Sequence, residues 1–214
     1  MKKIGVIAKI QPGGTVGIGA QYWDYFSEIG EIVMINPLVD TVADVDLLVL
    51  PGGPDLRMYK GEKPSAHTGR PDVFLDYFDM NCLDKYVKAK VPIFGICRGF
   101  QAINAHFGGS IVQHVRMKES FNRYEPVEEV LLPDDTKMKV NSMHHQAVYV
   151  DDLAECLVPI AISEAYGNVE ALHHKDLQIF GVQWHPEELD ESDDSSYFVR
   201  SKILSMLGME EVDV

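Results

Sequence analysis

Cys97 and His185 each stand where a reactive side chain could be built. Cys97 is centred in Gly95-Ile96-Cys97-Arg98-Gly99, between the apolar run Val91–Ile96 and a stretch in which Phe100, Ile103 and Phe107 repeat at helical spacing. Glycines two residues before and after the cysteine permit the tight strand-to-helix turn of a nucleophile elbow, which lifts the central side chain clear of the sheet. The helix that starts after Cys97 adds unpaired N–H groups and a positive dipole end, and both favour a thiolate and an oxyanion formed beside it. The backbone N–H of Arg98 is the natural first oxyanion donor, and the Gly52-Gly53 turn is placed to supply a second. A cysteine after an apolar run is also a common small core residue, so the chemistry depends on a partner base.

That base is predicted at the end of the run Ile179–Trp184, which delivers His185-Pro186-Glu187. Proline disfavours the α conformation for His185, and in an extended chain residues two apart point to the same side, so His185 and Glu187 can converge. A cysteine thiol is mostly protonated at neutral pH; an imidazole can take that proton and return it to a leaving amine. A carboxylate behind the ring fixes its tautomer and offsets the imidazolium charge. Read alone, His185 could be an exposed loop residue and Glu187 the start of a solvated acidic run. Both segments, however, follow apolar strands at their carboxyl ends, where open α/β sheets place their sites.

Two histidine pairs invite a metal reading, His144-His145 within Asn141-Ser142-Met143-His144-His145-Gln146, and His173-His174. Adjacent side chains diverge and no H-E-x-x-H or spaced Cys/His pattern is present, so no metal is expected. The first pair is read as a polar loop lining the pocket, the second as a turn. Gly13-Gly14-Thr15-Val16-Gly17 lacks both the G-x-G-x-x-G order and a following Lys-Ser/Thr, so no nucleotide or other cofactor is expected and these glycines are read as shaping a loop. Cys82 and Cys156, in predicted helix and strand, are read as buried structural thiols.

The elements that must position these residues alternate. Strands are predicted at Ile4–Ile10, Ile32–Ile35, Val45–Leu50 and Val91–Ile96, and helices over 20–29, with Tyr22, Trp23, Phe26 and Ile29 on one stripe, over 76–88 and after Cys97. This order argues for an α/β fold with an open, mostly parallel sheet and helices on both faces. Strand-like segments at 127–132, 138–141, 147–150, 156–163, 169–172 and 179–184 predict a small antiparallel or mixed extension. Residues 54–75 read as a long loop, 187–194 as an exposed acidic linker and 197–207 as a final helix. With 214 residues, 46% of them hydrophobic, one domain spanning 1–214 is the expected organisation. The formal charge of −14 disfavours nucleic acid as a partner. No run suits a membrane span or a signal peptide, and three cysteines without a CxxC pair fit a reducing, cytoplasmic setting.

Taken together, Gly95-Ile96-Cys97-Arg98-Gly99-Phe100-Gln101, Asn141–Gln146 and Gly181-Val182-Gln183-Trp184-His185-Pro186-Glu187 resemble the class I glutamine amidotransferase superfamily. The similarity is closest to its peptidase C26, γ-glutamyl-γ-aminobutyrate hydrolase branch. The resemblance implies a flavodoxin-like sheet, with Cys97 as nucleophile, His185 as base and Glu187 as its orienter. It implies backbone oxyanion donors at Gly53 and Arg98, and contacts to the glutamyl moiety from Gln101 and from Ser142, Met143 and His144. Asp55 and Tyr59 fall in a segment similar to the branch's Gly-Gly-x-Asp loop, although the spacing is short and a proline expected near Met58 is absent. The implied reaction is hydrolysis of a small γ-glutamyl amide through a thioester. A glutaminase subunit that passes ammonia to a separate synthetase and a non-catalytic binding module are the alternatives.

Overall fold

The computed structural model describes residues 1–56, 66–116 and 126–209. The opening apolar run forms β1 (Lys3–Ile7), breaks at Ala8, and continues into a small hairpin of β2 (Lys9–Ile10) and β3 (Val16–Gly17). Gly13 and Gly14 make its turn at φ values of 96° and 85°, which glycine adopts without a steric penalty. Helix α1 (Ala20–Ser27) buries Tyr22 and Phe26, and Ile29 continues their stripe. Trp23, expected on that stripe, lies one residue out of register with it and is 53% exposed.

After β4 (Glu31–Ile35) and β5 (Leu47–Leu50), the predicted helix over 76–88 starts early and divides, giving α2 (Val73–Asn81) and α3 (Leu83–Lys88). Its early start has a local cause. Asp72 caps α2 by accepting from the N–H groups of Phe74 at 2.9 Å and Leu75 at 3.3 Å. Strand β6 (Ile93–Ile96) then runs into α4 (Arg98–His106), followed by β7 (Glu128–Leu131), β8 (Lys137–Val140), β9 (Leu157–Ser163), β10 (Val169–His174), β11 (Ile179–Val182) and α5 (Asp194–Met206). Ala147–Val150 is not a full strand: Ala147 bridges Val112 and a 3₁₀ turn begins at Val150. His173 and His174 close β10 rather than forming a turn, and Cys156 lies half-buried just before β9 whereas Cys82 is buried.

Among the described residues nine strands form one sheet in the order β4-β1-β5-β6-β11-β10-β9-β7-β8. From β4 to β11 neighbouring strands are parallel, and from β11 to β8 they are antiparallel. The expected flavodoxin-like parallel sheet with an antiparallel extension is therefore present. Alternate residues of its strands feed separate cores. Ile4, Val6, Leu47 and Val49 face α1 and α5, while Ile7, Leu48 and Leu50 face α2, α3 and α4. Each such side chain contributes about 1.5–3 kcal/mol on burial, so both helical layers are anchored by the same strands. The stretch 187–194 departs from the expected acidic linker. Pro186–Glu188 forms a 3₁₀ turn with Glu187, Glu188 and Leu189 buried, and exposure begins only at Asp190. Among the described residues no helix is long and apolar enough to cross a membrane.

Candidate active site

Three neighbouring parallel strands, β5, β6 and β11, end side by side, with Leu50 in register with Gly95 and Gly95 with Gly181. Their carboxyl ends bring together the Gly52-Gly53 turn, Cys97 and the segment leading to His185. Cys97 adopts φ 50° and ψ −102°, a conformation rare for a residue with a Cβ, while its N–H donates to Val182 O at 2.8 Å. This strained turn is the expected elbow. Its glycines are sterically required: a Cβ on Gly99 would collide with Leu50 O, and one on Gly95 would lie 2.6 Å from Gly99 O. Helix α4 can thus start hard against the strand ends.

His185 Nδ1 lies 2.8 Å from Glu187 Oε1, so the pair expected across Pro186 is formed. Asn141 holds the histidine backbone from the other side: its Oδ1 accepts from His185 N at 2.8 Å and its Nδ2 donates to His185 O at 3.0 Å. Burial disfavours the imidazolium, but the Glu187 charge and the Cys97 side chain outweigh it and push His185 up to about 10. Burial likewise acts to raise the Glu187 carboxyl, yet the neighbouring imidazolium leaves it lowered. The site therefore favours a separated charge pair. Asn141 belongs to a motif legible in the sequence, but nothing in its type or spacing signals a backbone clamp.

Gly53 packs against the stem of Arg98, since a Cβ there would sit 3.1 Å from Arg98 Cδ and 2.9 Å from Leu75 Cδ1. The Arg98 side chain is turned away from the site into α2, where its guanidinium meets Asp76 Oδ1 and Asp79 Oδ2, each at 2.7 Å. Its backbone is what remains at the elbow. The first N–H groups of a helix lack intrahelical acceptors, which suits both this position and an anionic ligand.

The expected substrate-contact residues divide. Gln101 is buried and its Nε2 donates to Gln146 O at 3.2 Å and Gln183 Oε1 at 3.1 Å, which joins α4 to the loops above it. Ser142 is buried and Met143 half-buried. Asp55 Oδ2 accepts from Gly69 N at 2.7 Å and lies 3.0 Å from His145 Nε2. Beyond it, His145 Nδ1 faces His114 Nδ1 at 3.2 Å, and the His114 ring stacks on His67. Tyr59 lies outside the described residues.

His144 instead points into the protein. Burial lowers it to about 4, and its Nδ1 lies 2.9 Å from Gln146 O, a pure acceptor, so Nδ1 carries the proton and Nε2 is left as an acceptor. Glu170 Oε1 is 3.6 Å from that Nε2, and burial raises the Glu170 carboxyl well above its ordinary range. Glu128 completes a buried group whose ligand-type atoms lie within 4.8 Å of one another. These three residues offer ligand-type atoms of the kind a cation takes, and His144 Nε2, Glu170 Oε2 and both Glu128 carboxylate oxygens are buried without a hydrogen-bond partner among the described residues. Glu128 and Glu170 carry no motif that singles them out in the sequence, because topology alone brings β7 and β10 to His144.

The peptidase C26 family profile matches residues 29–187, which span the Gly52-Gly53 turn, Cys97, Asn141 and the His185–Glu187 pair. The chain belongs to the peptidase C26 family. It is 32% identical over 186 residues to the glutamine amidotransferase-like protein YvdE of Lactococcus lactis, covering 77% of this chain and 78% of that protein. It is 31% identical over 145 residues to one subunit of the glutamine-hydrolysing GMP synthase of Thermococcus kodakarensis, covering 67% and 77% of the two. A GMP synthase subunit from Thermoplasma acidophilum shares its fold, with a TM-score of 0.70 at 22% identity over 97% of this chain and 94% of that one. This peptidase C26 member accordingly sits in the class I glutamine amidotransferase-like superfamily, and its general chemistry is hydrolysis of the glutamine amidotransferase and C26 type.

Proposed function

We propose that the protein hydrolyses a γ-glutamyl amide with Cys97 as nucleophile, His185 as acid and base, and Glu187 as the orienter of His185. The observation that carries this reading is the 2.8 Å His185–Glu187 pair after the carboxyl end of β11, the parallel neighbour of the strand β6 that leads into the Cys97 elbow. With the proton resident on His185, Cys97 Sγ attacks the γ-carbonyl carbon as a thiolate, and the N–H groups of Gly53 and Arg98 receive the charge that develops on oxygen. His185 then passes its proton to the amine nitrogen as the C–N bond breaks, leaving a γ-glutamyl thioester. Water, giving a proton to His185, attacks the thioester carbon, and the thiolate leaves with release of glutamate.

A second reading has its own support. The Thermococcus kodakarensis relative, at 31% identity, is one part of a glutamine-hydrolysing GMP synthase. On that reading, the ammonia formed here passes to a separate synthetase. A screen of γ-glutamyl amides with glutamine included, quantifying glutamate and amine for wild type and Cys97→Ala, tests both. Hydrolysis that survives in Cys97→Ala overturns the nucleophile, and strong glutamine cleavage only in the presence of an added synthetase overturns the stand-alone hydrolase.

A further inference from the structure

The Gly52-Gly53 turn carries the proposed oxyanion donor, yet consecutive glycines have the greatest backbone freedom of any pair. Something must hold the Gly53 N–H on target. Two residues outside the family match, Lys9 and Tyr22, meet at this turn. Lys9 Nζ donates to Gly52 O at 2.6 Å, and Gly52 N donates to Tyr22 Oη at 2.9 Å. The Lys9 ammonium also lies 5.1 Å from the centre of the Tyr22 ring, so the two side chains brace each other.

The peptide geometry makes the first of these bonds directional. Gly52 C=O and Gly53 N–H belong to one planar trans unit and point in opposite directions, so holding the oxygen fixes the direction of the proton. Tyr22 fixes the preceding peptide unit in the same way. The space leaves no substitute for glycine, because a Cβ on Gly52 would lie 2.5 Å from His185 Cε1 and 3.1 Å from Tyr22 Oη. The Tyr22 hydroxyl is also among the groups that lower the Glu187 carboxyl, after the larger effect of the His185 imidazolium.

We propose that Lys9 and Tyr22 are positioning residues that clamp the two peptide units of the Gly52-Gly53 turn and aim the Gly53 N–H at the oxyanion. This inference rests on the reading of Cys97 as nucleophile. It extends that reading to residues with no acid–base or nucleophilic role of their own.

The test compares wild type, Tyr22→Phe, Lys9→Met and Cys97→Ala on glutamine and γ-glutamyl-p-nitroanilide, with thermal melting to verify folding. Tyr22→Phe and Lys9→Met are each expected to lower kcat by about 10-fold or more, short of the full loss of a direct donor, with KM within about threefold. Alkylation of Cys97 by iodoacetamide needs no oxyanion hole, so its rate in Tyr22→Phe should stay within about threefold of wild type. Hydrolysis within twofold of wild type in both variants, or equal falls of hydrolysis and alkylation in Tyr22→Phe, would overturn the clamp. If Cys97→Ala keeps wild-type activity, or wild type cleaves neither amide, the underlying nucleophile reading fails instead.

Discussion

At the scale of single residues, the proposed reaction turns on a proton kept on His185 beside the buried Glu187 carboxylate. His185 is raised to about 10 in the fold, against an ordinary value near 6.5. A group raised in this way contributes its stability in full below about 6.5 and loses it as pH climbs toward about 10. Glu187→Gln is therefore expected to cost about 3–5 kcal/mol near pH 6, because it strands a buried imidazolium, and less at pH 10. Urea denaturation at the two pH values measures the difference. The same variant should lower kcat by about 10²–10⁴-fold, as expected when the orienter can no longer enforce the tautomer or balance the charge. A stability loss that does not change with pH would mean that Glu187 packs rather than pairs.

At the scale of elements, the elbow depends on how closely α4 approaches the strand ends. Gly99→Ala would drive a methyl group into Leu50 O, so it is expected to destabilise the protein by about 1–3 kcal/mol and to disturb the Cys97 turn. Calorimetry and the steady-state rate should move together. Arg98→Ala should cost about 3–5 kcal/mol, since it leaves Asp79 buried and Asp76 largely so without their shared cation. An unchanged denaturation midpoint would refute that role.

Much of this local architecture is legible in the sequence. Gly95 and Gly99 announce the elbow around Cys97 because the turn geometry needs glycine at those two places, and His185-Pro186-Glu187 announces a converging pair because proline restricts its neighbour. The clamp residues are silent for the opposite reason. Lys9, Tyr22 and Asn141 act through backbone atoms of distant segments, and a bond to a peptide group leaves no spacing pattern to read. Trp23 and the early start of α2 escape the periodicity because single residues decide the outcome, the helical register in one case and the Asp72 cap in the other.

At the scale of the whole molecule, the parallel half of the sheet positions the proposed reacting groups, and the antiparallel half packs Glu128 and Glu170 against His144. Glu170 is raised by burial, so the folded state keeps a proton that the unfolded chain releases above its ordinary range, and this costs stability as pH rises. Glu170→Gln should accordingly raise the melting temperature, and raise it more at pH 8 than at pH 5. His144, lowered to about 4, works in the other sense: it costs stability as pH falls from about 6.5 toward 4. A bound cation would reverse the first result, because Glu170→Gln would then remove a ligand and lower the melting temperature. The most direct trial of the proposed reaction is peptide mass spectrometry of protein quenched with acid during turnover of a γ-glutamyl amide. The expected result is a glutamyl adduct on the peptide carrying Cys97 that is absent from Cys97→Ala, whereas an adduct on another residue, or steady hydrolysis by Cys97→Ala, would contradict it.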